Sequence, residues 1–90
     1  MPSYLVETYL ETGIPGERAA CEERARLAAA ELSQQEVPIS FEGSIHVPED
    51  ELCFFIFDAP NGRITALAAE RAGLDPIRVV AAQCSGDQHT

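Results

Sequence analysis

Runs of alternating and continuous apolar residues divide the chain into regular elements. Residues 3–11 are rich in Tyr, Leu, Val and Thr, which predicts a strand that ends at the glycine and proline loop of residues 12–16. From Glu17 to about Gln34 apolar residues recur at steps of four, three and four. This spacing predicts a helix with one narrow apolar stripe, made of Cys21, Ala25, Ala28 and Leu32.

The central segment changes its pattern halfway along. Residues 39–47 alternate strictly between apolar and polar side chains, as a strand with two different faces does. If Ile39, Phe41 and Ile45 point toward the helices, the opposite face carries Ser40, Glu42, Ser44 and His46. After a turn at residues 48–51, the segment from Leu52 to Asp58 is apolar on both faces. A hairpin with a central, doubly covered second strand is the economical interpretation.

The last third of the chain completes the pattern. Residues 63–72 predict a second helix, closed by Gly73 as a C-terminal cap, with helical spacing of Ile64, Leu67, Ala68 and Arg71. Residues 77–84 predict a final strand, and the polar residues 85–90 a loose tail. The order β-α-β-β-α-β over residues 1–84 predicts one α+β domain, a ferredoxin-like plait with a four-stranded antiparallel sheet and both helices on one face.

Composition and charge narrow the partners. A chain of 90 residues is small, and a plait leaves one sheet face bare, so we expect a homodimer of the dimeric α/β-barrel kind. A net charge of −9 with six Lys and Arg residues argues against nucleic acid and anionic membranes. No apolar run approaches the length that spans a bilayer, and the N-terminus lacks a basic signal-peptide region. Three cysteines without CxxC spacing favour free thiols and a cytoplasmic location.

Several stretches together resemble a small bacterial family of unknown function. They are MPSYLVETYL, the hairpin SIHVPEDELCFFIFDAP, and the close AERAGLDPIRV. The resemblance covers nearly the whole chain and implies a ferredoxin-like homodimer, with nickel binding described for at least one relative. It matches Glu7, Ser44, Cys53 and residues 58–60. Relatives often carry a His in the second helix, and this chain has Ala68 in that neighbourhood.

His46 is the residue best suited to chemistry. An imidazole titrates near neutrality and also binds nickel or zinc. Glu42 lies on the same strand at a distance of roughly 13 Å, which is too far to share one ion with His46. Together with the positions that the resemblance matches, the candidate metal ligands are therefore His46, Glu7 and Cys53, and the expected ion is nickel or another divalent transition metal.

Other interpretations stay open. His46 with Glu7 or Glu42 could serve as an acid–base pair in a cofactor-free enzyme of the monooxygenase or isomerase kind, which requires an enclosed apolar cavity beside the sheet. An interaction module without a small-molecule site is a further alternative. The tail residues Cys84, Asp87 and His89 and the acidic turn at residues 49–51 are weaker cation sites. No dinucleotide, P-loop, HExxH or nucleophile-elbow motif occurs.

Overall fold

A computed structural model describes residues 1–83 and confirms the predicted order of elements. The predicted tail and Cys84 lie outside the described residues. The strands and helices are β1 (Ser3–Tyr9), α1 (Glu17–Gln34), β2 (Ser40–Val47), β3 (Leu52–Asp58), α2 (Gly62–Arg71) and β4 (Pro76–Ala82), with a 3-10 turn at Pro48–Asp50 between β2 and β3.

The four strands form one antiparallel sheet in the order β2-β3-β1-β4. This order is that of the ferredoxin-like plait. The two central strands pair in continuous register, from Ser3 opposite Asp58 to Tyr9 opposite Leu52. Both helices pack against the same side of the sheet and against each other. The opposite side of the sheet carries no helix, and we call it the open face.

The core lies between the helices and the sheet. Cys53, Phe55 and Phe57 of β3 are fully buried there. The predicted stripe of α1 is confirmed, because Cys21, Ala25, Ala28 and Leu32 are all buried. The helices contribute mostly small alanine side chains to this core. The large phenylalanine rings of β3 therefore fill the space between the helices and the sheet.

The predicted stripe of α2 is partly wrong. Leu67 is 40% exposed, whereas Thr65, Ala68 and Ala69 are fully buried. The prediction favoured the larger apolar side chains, but the close packing of α2 selects small ones. The hydroxyl of Thr65 is satisfied inside the helix, because it donates to the carbonyl of Asn61 at 3.3 Å.

The predicted face assignment of β2 is wrong beyond Phe41. Phe41 pairs with Phe57, but Gly43 pairs with the adjacent Ile56. Glu42 has no partner of its own on β3 and is the extra residue of a β-bulge. Gly43 has a φ of 143°, a conformation that side chains disfavour. One inserted residue exchanges the two faces of everything that follows. Ser44 and His46 therefore point toward the helices, and the open face receives Ile45 and Val47.

Both helices end in the same hydrogen-bonded cap. After α2, Gly73 has a φ of 74°, and its N–H and that of Leu74 donate back to Glu70 and Ala69, each at 3.0 Å. This is a Schellman motif and confirms the predicted cap. After α1 the same motif is closed by Glu36, which has a φ of 67° without being glycine. The left-handed conformation therefore strains the backbone at Glu36.

Replacing Glu36 by Gly is expected to raise the free energy of unfolding by about 1 kcal/mol. The left-handed penalty disappears, and the greater freedom of glycine in the unfolded chain offsets only part of that gain. Urea unfolding measures the change. The matched control Glu36→Ala removes the carboxylate but keeps the strain, so equal stabilisation by alanine would contradict a backbone origin.

Candidate functional site

The open face presents a broad apolar patch. Its side chains come from alternate positions of each strand: Leu5 and Tyr9 of β1, Ile45 and Val47 of β2, Leu52, Phe54 and Ile56 of β3, and Val80 of β4. Tyr9 is 74% exposed and Ile45 is 52% exposed. Contiguous apolar surface of this kind marks an interaction site more often than a solvated face.

An ion pair interrupts this patch at its β4 side. Arg78 lies opposite Glu7 across the β1–β4 ladder, and Nε of Arg78 donates to Oε1 of Glu7 at 2.6 Å. The side chain of Glu7 is only 12% exposed, whereas that of Arg78 is 66% exposed. The carboxylate is thus already largely shielded by its apolar neighbours, and the guanidinium extends over the surface.

Polar side chains lie at the corner of the open face where β1 begins and β3 ends. Oγ of Ser3 donates to Oδ1 of Asp58 at 2.7 Å, which joins β1 to the end of β3. At the bulge, Oγ of Ser40 donates to Oε2 of Glu42 at 2.6 Å. As far as residues 1–83 form it, the open face therefore combines an apolar centre with carboxylates at one corner and one cation, Arg78, on its β4 side.

A second polar cluster lies on the helix side of β2. Arg18 of α1 donates from Nε to Oγ of Ser44 at 2.9 Å and from Nη2 to the carbonyl of Ser44 at 3.0 Å. The hydroxyl of Ser44 in turn donates to the carboxylate of Glu22. These bonds fasten the edge strand to the helix directly after the bulge, and they occupy the charges of Arg18 and Glu22.

His46 and Cys53 are direct neighbours beside this cluster. They oppose each other across the β2–β3 ladder, where paired Cβ atoms lie about 4.5–5.5 Å apart. Nε2 of His46 is buried and has no hydrogen-bond partner among the described residues. Cys53 is fully buried as a free thiol. Among the described residues, this unpartnered imidazole nitrogen next to a thiol comes closest to a metal site.

The structure brings together only part of the predicted site. Glu7 lies on the open face and is bound to Arg78, so the sheet separates it from His46 and Cys53. Glu42 is exposed at the bulge, and residues 49–51 are exposed at the turn. Within residues 1–83, no three His, Cys, Asp or Glu side chains meet in a group that could hold a metal ion. The tail candidates Cys84, Asp87 and His89 lie outside the described residues.

His46 lines a groove on the helix side of the molecule. The groove has a volume of about 510 Å³ and runs between the β1–α1 loop and the first turns of α1. Its charged lining is Glu11, Glu17, Arg18 and Glu22. An open, acidic groove differs from the enclosed apolar cavity that an acid–base enzyme beside the sheet requires. Glu7 and Glu42 also do not reach His46 as bases, because Glu7 lies across the sheet and Glu42 is bound to Ser40.

Sequence reasoning missed two arginines that organise these sites. Arg78 follows Glu7 by 71 positions in the sequence, and only the strand register brings the two residues together. Arg18 has the helical spacing to contact Glu22, but its bonds to Ser44 depend on the bulge. Gly43 was the available signal, because a lone glycine inside a strand pattern often marks a bulge.

The buried thiol generates a pH-dependent prediction. Burial raises the pKa of Cys53 above its ordinary value of 9.0, although the hydrogen bond with Ser44 and the charge of Arg18 act in the opposite direction. Below that pH the folded and unfolded chains both keep the proton. As the pH rises further, the unfolded chain releases its proton first, so the free energy of unfolding falls.

Urea unfolding from about pH 8 to about pH 10.5 measures this loss. Cys53→Ala lowers stability at every pH because packing is lost, but it removes the titrating group. Its free energy of unfolding should therefore decline less steeply than that of the wild type. Parallel declines in the two proteins would contradict a raised thiol pKa.

Comparisons with known proteins support the fold. Neither protein-family models nor curated proteins matched the chain. Among solved structures, it is similar to SCO4226 from Streptomyces coelicolor A3(2), with a TM-score of 0.69 and 17% sequence identity over 93% of this chain and 99% of that one. Neither helix of the described residues has the length and hydrophobicity that a membrane crossing needs. At this identity the likeness establishes a shared ferredoxin-like fold.

Proposed function

We propose that the protein is a small homodimeric binding protein whose two copies pack through their open faces. The apolar patch on the helix-free side of the sheet is the observation that carries this proposal. Burial of apolar surface contributes about 25 cal/mol per Å², and a second copy supplies a patch of matching chemistry. In a twofold dimer the same surface of both chains forms the interface, so one pairing covers both open faces without a different protein.

The charges of the chain disfavour the other large partners. Five of its six Lys and Arg side chains are held by bonds within the fold: Arg18, Arg24, Arg26, Arg71 and Arg78. Phosphate backbones and anionic membranes need clusters of available cations, so neither is a natural occupant of this acidic protein. The free thiols of Cys21 and Cys53 agree with a cytoplasmic location.

Binding of a divalent transition metal such as nickel is the second candidate function. His46 and Cys53 fit it in part, because they are neighbours of suitable ligand chemistry and Nε2 of His46 has no partner within residues 1–83. Glu7 does not belong to this set, since it lies on the other side of the sheet. An ion here would take two ligands from one chain and complete its coordination from outside the described cluster. If no metal binds, the dimer is an interaction module.

We expect the wild type at micromolar concentration to have twice the 9.7 kDa mass of one chain in sedimentation equilibrium. Ile45→Glu places a charge in the apolar patch and should weaken the dimer at least about tenfold, because the carboxylate must lose its water in the interface. Leu27→Glu is the matched control on the outer surface of α1, where Leu27 is 59% exposed. A monomeric wild type, or equal weakening by both substitutions, would contradict the proposal.

Isothermal titration with nickel, zinc and cobalt tests the metal candidate. We expect heat with the wild type and none with His46→Ala, because the imidazole supplies the unpaired nitrogen. Glu7→Gln should bind as the wild type does, since Glu7 faces away from His46. Absence of heat with the wild type ends the metal hypothesis, and loss of binding in Glu7→Gln would place the site elsewhere.

A further inference from the structure

We propose that in the dimer Arg78 of each copy binds Asp58 of the other, so that the twofold axis passes over Leu5. The inference rests on the proposed packing through the open faces and gives that packing a definite geometry. It follows from three features of the open face: the donors of Arg78 and the oxygen of Asp58 that have no partner among residues 1–83, and the strand register that separates the two side chains.

Arg78 has hydrogen-bonding capacity that a covering surface must satisfy. A guanidinium has five N–H donors, and within the described residues only Nε of Arg78 is bonded, to Glu7. The side chain is 66% exposed, so water satisfies the other donors in a single chain. A purely apolar cover would leave those donors unpaired, which is unfavourable. The covering surface therefore needs an acceptor opposite Arg78, and an anionic one is favoured.

Asp58 is the acceptor that the second copy offers. The other carboxylates of the open face are Glu7, which already binds Arg78 in its own chain, and Glu42, which is exposed at the bulge beside Ser40. Asp58 accepts from Ser3 through Oδ1, and Oδ2 has no bond in the described part of the chain. Ser3 also holds the carboxylate in place, so its free oxygen is oriented before association.

The strand register fixes where the symmetry axis must lie. Asp58 pairs with Ser3 on one side of β1, and Arg78 pairs with Glu7 on the other. Leu5 lies midway between Ser3 and Glu7, hence midway between Asp58 and Arg78. Neighbouring strands lie about 4.8 Å apart, and two residues along a strand span about 6.6 Å. The Cα atoms of Asp58 and Arg78 therefore each lie about 8 Å from the Cα atom of Leu5. Because the open faces pack against each other, the twofold axis lies between the two sheets and parallel to them. An axis that passes over Leu5 at right angles to the line from Asp58 to Arg78 places Asp58 of each copy opposite Arg78 of the other, so the contact forms twice.

The same axis centres the apolar patch. Phe54 lies diagonally from Leu5. It is on the neighbouring strand β3, two residues from Ile56, which pairs with Leu5, and on the side of Ile56 away from Asp58. At these spacings its Cα position falls within about 3 Å of the axis, so each Phe54 ring meets its copy in the other chain. One arrangement thus satisfies the charges and buries the ring of Phe54.

A double-mutant cycle on the dimer dissociation constant tests the contact. The variants are Arg78→Met, Asp58→Asn and their combination, measured by sedimentation equilibrium. Asp58 and Arg78 lie about 16 Å apart within one chain, too far to couple directly, so coupling between them must pass through the interface. We expect each single substitution to weaken the dimer about tenfold and the combination to weaken it little further. Glu42→Gln combined with Arg78→Met is the matched control and should be additive.

The outcomes separate this inference from the proposed dimer. A monomeric wild type overturns both. A wild-type dimer with additive effects of Arg78→Met and Asp58→Asn overturns only the Arg78–Asp58 contact, as does coupling of Arg78 to Glu42 in its place. Circular dichroism checks that each variant is folded. Where Arg78→Met does not fold, Arg78→Lys replaces it in the cycle, because lysine keeps the charge toward Glu7 but not the donor geometry of the guanidinium.

Discussion

The β-bulge at Glu42 and Gly43 is the constraint on which both surfaces of the sheet depend. A regular β2 would turn Ser44 and His46 to the open face and bury Ile45 and Val47 beneath α1. One extra residue reverses both assignments, since the side chains of a strand alternate. Gly43 permits the bulge through its positive φ, and the bonds of Arg18 to Ser44 secure the strand directly after it.

This reversal divides the molecule by chemistry. The helix side collects the polar groups of β2, where Arg18, Glu22 and Ser44 satisfy one another and only Nε2 of His46 lacks a partner in the described chain. The open face collects the apolar groups and retains one ion pair, whose carboxylate is already shielded. Water solvates the apolar centre of the open face poorly and solvates Arg78 well. A partner that covers this face must therefore supply apolar side chains at the centre and an acceptor for Arg78. This requirement restricts the possible partners more than an apolar surface alone would.

The features that the sequence predicted are local ones. The element order, the stripe of α1 and the cap at Gly73 follow from spacing within a few residues, and the structure confirms them. The faces of β2 were mispredicted because strict alternation of its sequence fits a regular strand as well as a bulged one. Leu67 was wrongly predicted to be buried, because the close packing of α2 selects small alanine side chains rather than large apolar ones. The pairing of Arg78 with Glu7 depends on register between distant strands, which no local pattern encodes.

In the proposed dimer the open face packs against its own copy, with Leu5 and Phe54 near the twofold axis. Isotope-filtered NOE spectroscopy on a mixture of labelled and unlabelled chains measures this contact directly. It should give intermolecular contacts between the ring of Phe54 and its counterpart in the other chain, and between the methyl groups of Leu5 in the two chains. Intermolecular contacts confined to the outer surface of α1, or their complete absence, would contradict the account.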